Sequence, residues 1–122
     1  MKCKELMVGD FCRSGHGLPM QITNVGDDYA YATFEGNEGE PWEFDDKDER
    51  PQPIPLTTEI LEKNGFIKVN SQRYDYGNPK KNMIHVNGRN ANSNLYSHSF
   101  VHELQRALRC CGLWDIADNF VV

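Results

Sequence analysis

The sequence predicts an α+β protein: a small SH3-like β-barrel in the N-terminal half, then a helix, an antiparallel β-meander and a C-terminal helix. Three observations carry that expectation. Short segments alternating apolar with polar residues, separated by glycine turns, fill the chain as far as Phe44. A charged run and three prolines then interrupt the pattern between residues 45 and 55, and two later stretches, 57–65 and 100–112, carry helix start and stop signals. The expected division is 1–50 for the barrel half and 51–122 for the helix-meander-helix half, either as two domains or as one compact domain overall.

In order along the chain, Leu6–Arg13 leads into a turn-rich Ser14–Pro19, and Met20–Val25 alternates as a half-buried strand does. Gly26-Asp27-Asp28 marks a turn before Tyr29–Phe34, whose aromatic and β-branched residues favour a second strand. Trp42-Glu43-Phe44 forms a third after the glycine-bearing 36–39. Short strands at such spacing predict a bent barrel, because closure removes exposed edges. Pro51, Pro53 and Pro55 lock φ and predict an extended connection.

Thr57 suits the N-cap of a short helix, with Glu59 in its first turn and Leu56 placed to staple onto Leu61. Gly65 is expected to end the helix in the left-handed conformation and to let Phe66 fold back on Leu61. Strands are predicted at 66–70, 72–76 and 82–87, with another at 94–97. The Asn87-Gly88 pair is a hairpin turn signal, since both positions tolerate positive φ. A longer helix follows, with Ser99 as N-cap, an apolar stripe of Val101, Leu104, Ala107, Leu108 and Cys111, and Gly112 ending it so that Leu113 reaches back to Leu108. The tail Trp114–Val122 is too apolar to fray and is expected to pack back on the core or to form a homo-oligomer interface.

A chain of 122 residues can bury about 65% of its unfolded surface and needs neither metal nor disulfide to fold. Its apolar runs fall far short of the roughly 20 residues of a membrane helix, and Glu5 and Asp10 leave no room for a signal peptide's apolar core. A cytoplasmic location without membrane contact is expected. Cys3, Cys12, Cys110 and Cys111 are accordingly expected as reduced thiols. The formal charge of -5 is unevenly spread: residues 35–49 hold eight acids against Lys47 alone, so the other 107 residues carry a small positive balance. Overall acidity argues against sequence-independent wrapping of nucleic acid.

Pro53-Ile54-Pro55-Leu56-Thr57-Thr58-Glu59-Ile60-Leu61-Glu62-Lys63-Asn64-Gly65-Phe66, joined through a tyrosine-bearing meander to Val101-His102-Glu103-Leu104-Gln105-Arg106-Ala107-Leu108, resembles a group of small uncharacterised proteins of gut bacteria and their phages or mobile elements. The Leu-x-x-Gly-Asp pattern of Leu6–Asp10 fits the same group. The resemblance covers most of the chain and implies no particular activity, cofactor or catalytic residue.

His102-Glu103 opens as a zinc-protease helix does, but the second ligand position is Arg106, a cation that repels a metal. His98 with His102 leaves the glutamate outside the ligand pair. Asp46 and Asp48 lack the glycine turn and downstream glutamate of a calcium loop. No nucleophile elbow, phosphate loop or dinucleotide fingerprint occurs. An enzyme, including a metal-dependent hydrolase, is therefore disfavoured, and no catalytic, cofactor or metal residue is assigned.

Two binding surfaces remain. Tyr29, Tyr31 and Trp42, with the neighbouring acids Asp45, Asp46 and Asp48, form a set suited to a basic protein partner. Arg73, Tyr74, Tyr76, Lys80, Lys81 and Arg89 interleave aromatic and basic groups as a nucleic-acid contact would, although tyrosines covering a sheet beside a solvated loop would read the same way. The favoured reading is a small protein-binding or adaptor module, with a nucleic-acid-binding accessory protein as the alternative.

Overall fold

Leu6 through Asp10 shows how the N-terminal sequence becomes a sheet. Leu6 is buried, Asp10 accepts the Met7 N–H at 2.8 Å, and the Gly9 N–H donates to the Ile22 carbonyl, which sets the ladder for the strands that follow. A short 3-10 helix, Cys3–Glu5, precedes them; nothing in the sequence had marked it. In the computed structural model, which describes residues 1–37, 39–70, 73–77, 83–87 and 100–122, the chain divides into two compact units, Met1–Ile54 and Pro55–Val122.

The first unit is an antiparallel sheet of β1 (Phe11–Arg13), β2 (Pro19–Val25), β3 (Tyr29–Thr33) and β4 (Trp42–Asp45), paired in chain order. The pairing of β2 with β3 slips between Ile22 and Asn24, where the Thr23 hydroxyl donates to the Tyr31 carbonyl. One face alternates inward with Cys12, Met20, Ile22, Ala30, Ala32 and Phe44, which cluster with Cys3 and Leu6. β1 and β4 stand at the two ends of the sheet order, and among the described residues no pairing between them closes a barrel. An antiparallel bridge of Arg13 with Gln52 covers the outer edge of β1 and ties the proline-rich segment to this unit.

Among the described residues, the second unit holds three helices and a three-stranded meander. α1 (Thr58–Lys63) starts at Thr57, whose hydroxyl accepts the Ile60 N–H, and ends as the glycine signal predicts: Gly65 has φ +81° and the Phe66 N–H donates to the Leu61 carbonyl. β5 (Ile67–Asn70), β6 (Arg73–Gly77) and β7 (Met83–Asn87) pair antiparallel in that order. The expected turn at Asn87-Gly88 and the strand at 94–97 lie outside the described residues.

α2 (Val101–Cys110) ends in the same manner as α1, with Gly112 at φ +79° and the Leu113 N–H donating to the Leu108 carbonyl. Its N-cap is Phe100, one residue beyond the serine expected. Phenylalanine offers no cap oxygen, so the satisfied group is the Phe100 N–H, held by the Glu103 carboxylate at 3.1 Å. The tail becomes α3 (Trp114–Asp118), which packs on α2 and buries Ala117, while Phe120 is buried just beyond it. This packing explains a correction to the expected α2 stripe. His102, Gln105 and Arg109, which that stripe left out, are buried as well; the Gln105 amide donates to the Ala117 carbonyl at 3.1 Å and Arg109 meets Asp118 at 3.6 Å. Among the described residues no helix is long and apolar enough to cross a membrane.

Candidate functional site

In the first unit, a cleft of about 210 Å³ lies among Ser14, Gly15, His16, Leu18, Phe34, Trp42 and Arg50. Three pieces of local structure build it. The Ser14 hydroxyl accepts the N–H groups of His16 and Leu18, and the Ser14 N–H donates to the Leu18 carbonyl, which folds the 14–18 loop into a tight wall. Phe34, the residue after β3, donates its N–H to the Asn37 side chain at 2.6 Å. Trp42, one register step along on β4, lies 5.4 Å from the Phe44 ring, so one edge of the indole belongs to the core and the rest lines the cleft.

Arg50 supplies the charged side. Its guanidinium carbon lies 4.7 Å from the Trp42 ring centroid, within cation–π range. The same guanidinium forks onto Asp48, with Nε on Oδ1 at 3.0 Å and Nη2 on Oδ2 at 2.7 Å, and the Arg50 N–H also donates to Asp48 Oδ1. These hydrogen bonds hold the Asp48 carboxyl below its usual pKa and push Arg50 above its own. The arginine stem crosses Gly15 so closely that a Cβ there would come within 3.2 Å of the Arg50 Cβ.

The residues proposed for a protein contact separate into three groups. Trp42 lies in the cleft. Tyr29 and Tyr31 stand on the opposite face of the sheet, because the alternation of β3 turns Ala30 and Ala32 inward. Their rings meet edge to face at 6.0 Å, and the Tyr31 hydroxyl donates to Glu43 at 2.7 Å, which raises its pKa. Asp45 and Asp46 shape the backbone: Asp45 accepts the Lys47 N–H, and Asp46 accepts the Cys3 N–H at 2.7 Å, which holds its carboxyl below the usual range. Asp48 alone of the three acids meets the cleft, through Arg50.

Among the described residues proposed for nucleic acid, the two tyrosines pack inward. Tyr74 is 3% exposed, with its hydroxyl on Glu62, and Tyr76 packs against Phe66 at 5.3 Å, so both rings serve the core of the second unit. Arg73 pairs with Asp75 along its own strand face at 3.0 Å. Lys80, Lys81 and Arg89 lie outside the described residues, as does His98. His102 is buried beside Phe100, and among the described residues no group of three His, Cys, Asp or Glu side chains could hold a metal ion.

Leu18, Phe34 and Arg50 were not singled out by the sequence. Arg50 is separated from Trp42 by a charged turn, and the pair forms only because Gln52 returns the chain alongside Arg13. An aspartate two residues before an arginine, eight residues after a tryptophan, was the available signal. Comparison of the chain with family models, curated proteins and solved structures finds no match.

Proposed function

We propose that this chain is a small protein-binding module whose N-terminal unit, built on an SH3-like plan, takes a basic segment of a partner protein at the Trp42 cleft. The observation that carries the reading is the cleft itself: an indole, a phenyl ring and Leu18 around about 210 Å³, beside a segment that holds eight acids against one lysine. Small-molecule sites run to roughly 300–1,000 Å³, so a space of this size suits one or two side chains of a peptide better than a cofactor. Apolar walls would take the stem of a long basic side chain, and the acidic surroundings would steer its charge. The cytoplasm is the compartment proposed, in keeping with the buried free thiols of Cys3 and Cys12. Membership of the group of small proteins of gut bacteria and their phages or mobile elements is proposed on the two sequence motifs alone.

Titrating the full chain with a short lysine- and arginine-bearing peptide, and reading tryptophan emission in a Trp114→Phe background, tests this function. Binding that weakens as salt rises and is absent for a glutamate-bearing peptide is expected. A gel shift with nucleic acid at low salt, without any peptide response, would replace this reading with the nucleic-acid alternative.

A further inference from the structure

We infer that Arg50 is a self-ligand: its guanidinium fills, over Trp42 and against Asp48, the place that an arginine of the partner segment takes on binding, so the partner binds by displacing it. The inference rests on the reading of the cleft as the protein-binding site, and it names both the recognised side chain and the way the site is regulated.

The groups around Arg50 form a complete guanidinium receptor. Trp42 offers the ring face at 4.7 Å and Asp48 offers both carboxylate oxygens in a fork, which is the pairing that distinguishes arginine from lysine. Receptor and occupant differ in how firmly they are held. The Asp48 side chain is 14% exposed, whereas that of Arg50 is 64% exposed, so the carboxylate is seated and the guanidinium is open to exchange. An exposed ion pair of this kind is weak, because water and salt compete for both partners.

The receptor also survives the departure of its occupant. The Arg50 backbone N–H donates to Asp48 Oδ1 at 3.0 Å, so the carboxylate keeps its orientation when the arginine side chain swings away. Leu18 and Phe34 then provide an apolar wall for the incoming stem, and the acids of the 35–49 segment raise the local concentration of a basic peptide. The cost to the partner is the fraction of molecules in which Arg50 closes the site, so apparent affinity falls by that fraction.

The test compares Arg50→Gln with Lys47→Gln, which makes the same charge change in the same acidic loop. The probe is a nine-residue peptide with arginine at alternate positions, with a lysine counterpart, measured calorimetrically on the full chain. Arg50→Gln is expected to bind the arginine peptide about five- to tenfold more tightly than the parent. Lys47→Gln should change affinity less than about twofold, and the parent should prefer arginine to lysine. Asp48→Asn should lose that preference while melting with the parent. Equal tightening by both glutamine variants would show a charge effect and overturn the displacement mechanism. Weaker binding by Arg50→Gln would make Arg50 part of the binding wall, overturning displacement while leaving the cleft as the partner site. Absence of binding to parent and Arg50→Gln alike would overturn both readings.

Discussion

The two units spend their polar side chains in different ways. In the first, polar groups hold turns around a core that alternates inward with period two: Asp10 closes the Met7 turn, Ser14 closes the cleft loop, and Asp46 anchors the N-terminal 3-10 helix. In the second, they are buried between helices, with Gln105 and Arg109 joining α2 to α3. Charge divides likewise. Residues 1–54 hold twelve acids and five bases, a balance of −7, and residues 55–122 hold six acids and eight bases, a balance of +2. The first unit thus keeps its polar chemistry near the surface, where a cleft can use it. The second uses much of its polar chemistry to fasten itself together.

Deleting the apolar centre of the second unit gives the largest effect. Leu104 is fully buried on α2, so Leu104→Ala leaves a cavity and should lower unfolding free energy by about 3 kcal/mol. Urea denaturation followed at Trp114 reads the loss. An unchanged midpoint there would remove the buried placement of that face of α2.

Next comes the polar contact that distinguishes this unit. Gln105→Leu raises apolarity at a fully buried site, yet it removes the 3.1 Å side-chain donor of the Ala117 carbonyl and leaves it the longer 3.4 Å contact from the Phe120 N–H, and a loss of about 2 kcal/mol is expected. Met20→Leu, an apolar exchange at an equally buried position in the first unit, should cost less than about 1.5 kcal/mol. If the ranking reversed, the buried polar seam would not be what separates the two units.

These positions also show what was legible in the sequence. The helix ends were readable because each depends on neighbours: Thr57 with Ile60, Phe66 after Gly65 with Leu61, Leu113 after Gly112 with Leu108. Apart from β1 (Phe11–Arg13), which the sequence did not mark, the described strands were readable to within a residue or two, since alternation is local as well. What failed was tertiary. Tyr29, Tyr31 and Trp42 read as one aromatic set, but Met20, Ile22 and Phe44 occupy so much of the inner face that the smaller Ala30 and Ala32 turn inward and the tyrosines outward. Arg109 lies outside the apolar stripe that the sequence marks yet is buried and meets Asp118 of α3, and the Trp42–Arg50 pair requires the chain to return along β1.

Alkaline pH acts on the first unit through its buried thiols. Burial pushes Cys12 up to about 12 and Cys3 to about 11, against a model-compound value of 9.0. A thiol with a raised folded-state pKa contributes stability that is present below pH 9 and is lost as pH climbs toward the folded value. Between pH 8 and pH 10 the Cys12 contribution falls by about 1.4 kcal/mol, one pKa unit's worth of linkage. Cys12→Ala should lower stability at pH 8 through lost packing but flatten the alkaline limb, followed at Trp42. A slope identical to the parent's would place Cys12 in contact with water.

The smallest effect tests whether the seam in the second unit depends on exclusion of water. Asn64, at the C-cap of α1, makes a reciprocal pair with the tail: its amide donates to the Val121 carbonyl at 2.7 Å, and the Val121 N–H donates to its Oδ1 at 2.8 Å. Asn64→Ala removes this pair together with the bond that the same amide donates to the Ile60 carbonyl at 2.7 Å. The two bonds to Val121 are open to solvent, so water replaces them and a loss of about 1 kcal/mol is expected, half that at the fully buried Gln105. Asn64→Asp keeps the acceptor for the Val121 N–H and should recover part of the difference. Hydrogen exchange at the Val121 amide resolves the two substitutions, fast in Asn64→Ala and slower in Asn64→Asp. A cost at Asn64 equal to or above that at Gln105 would show that exclusion of water is not what fastens this unit.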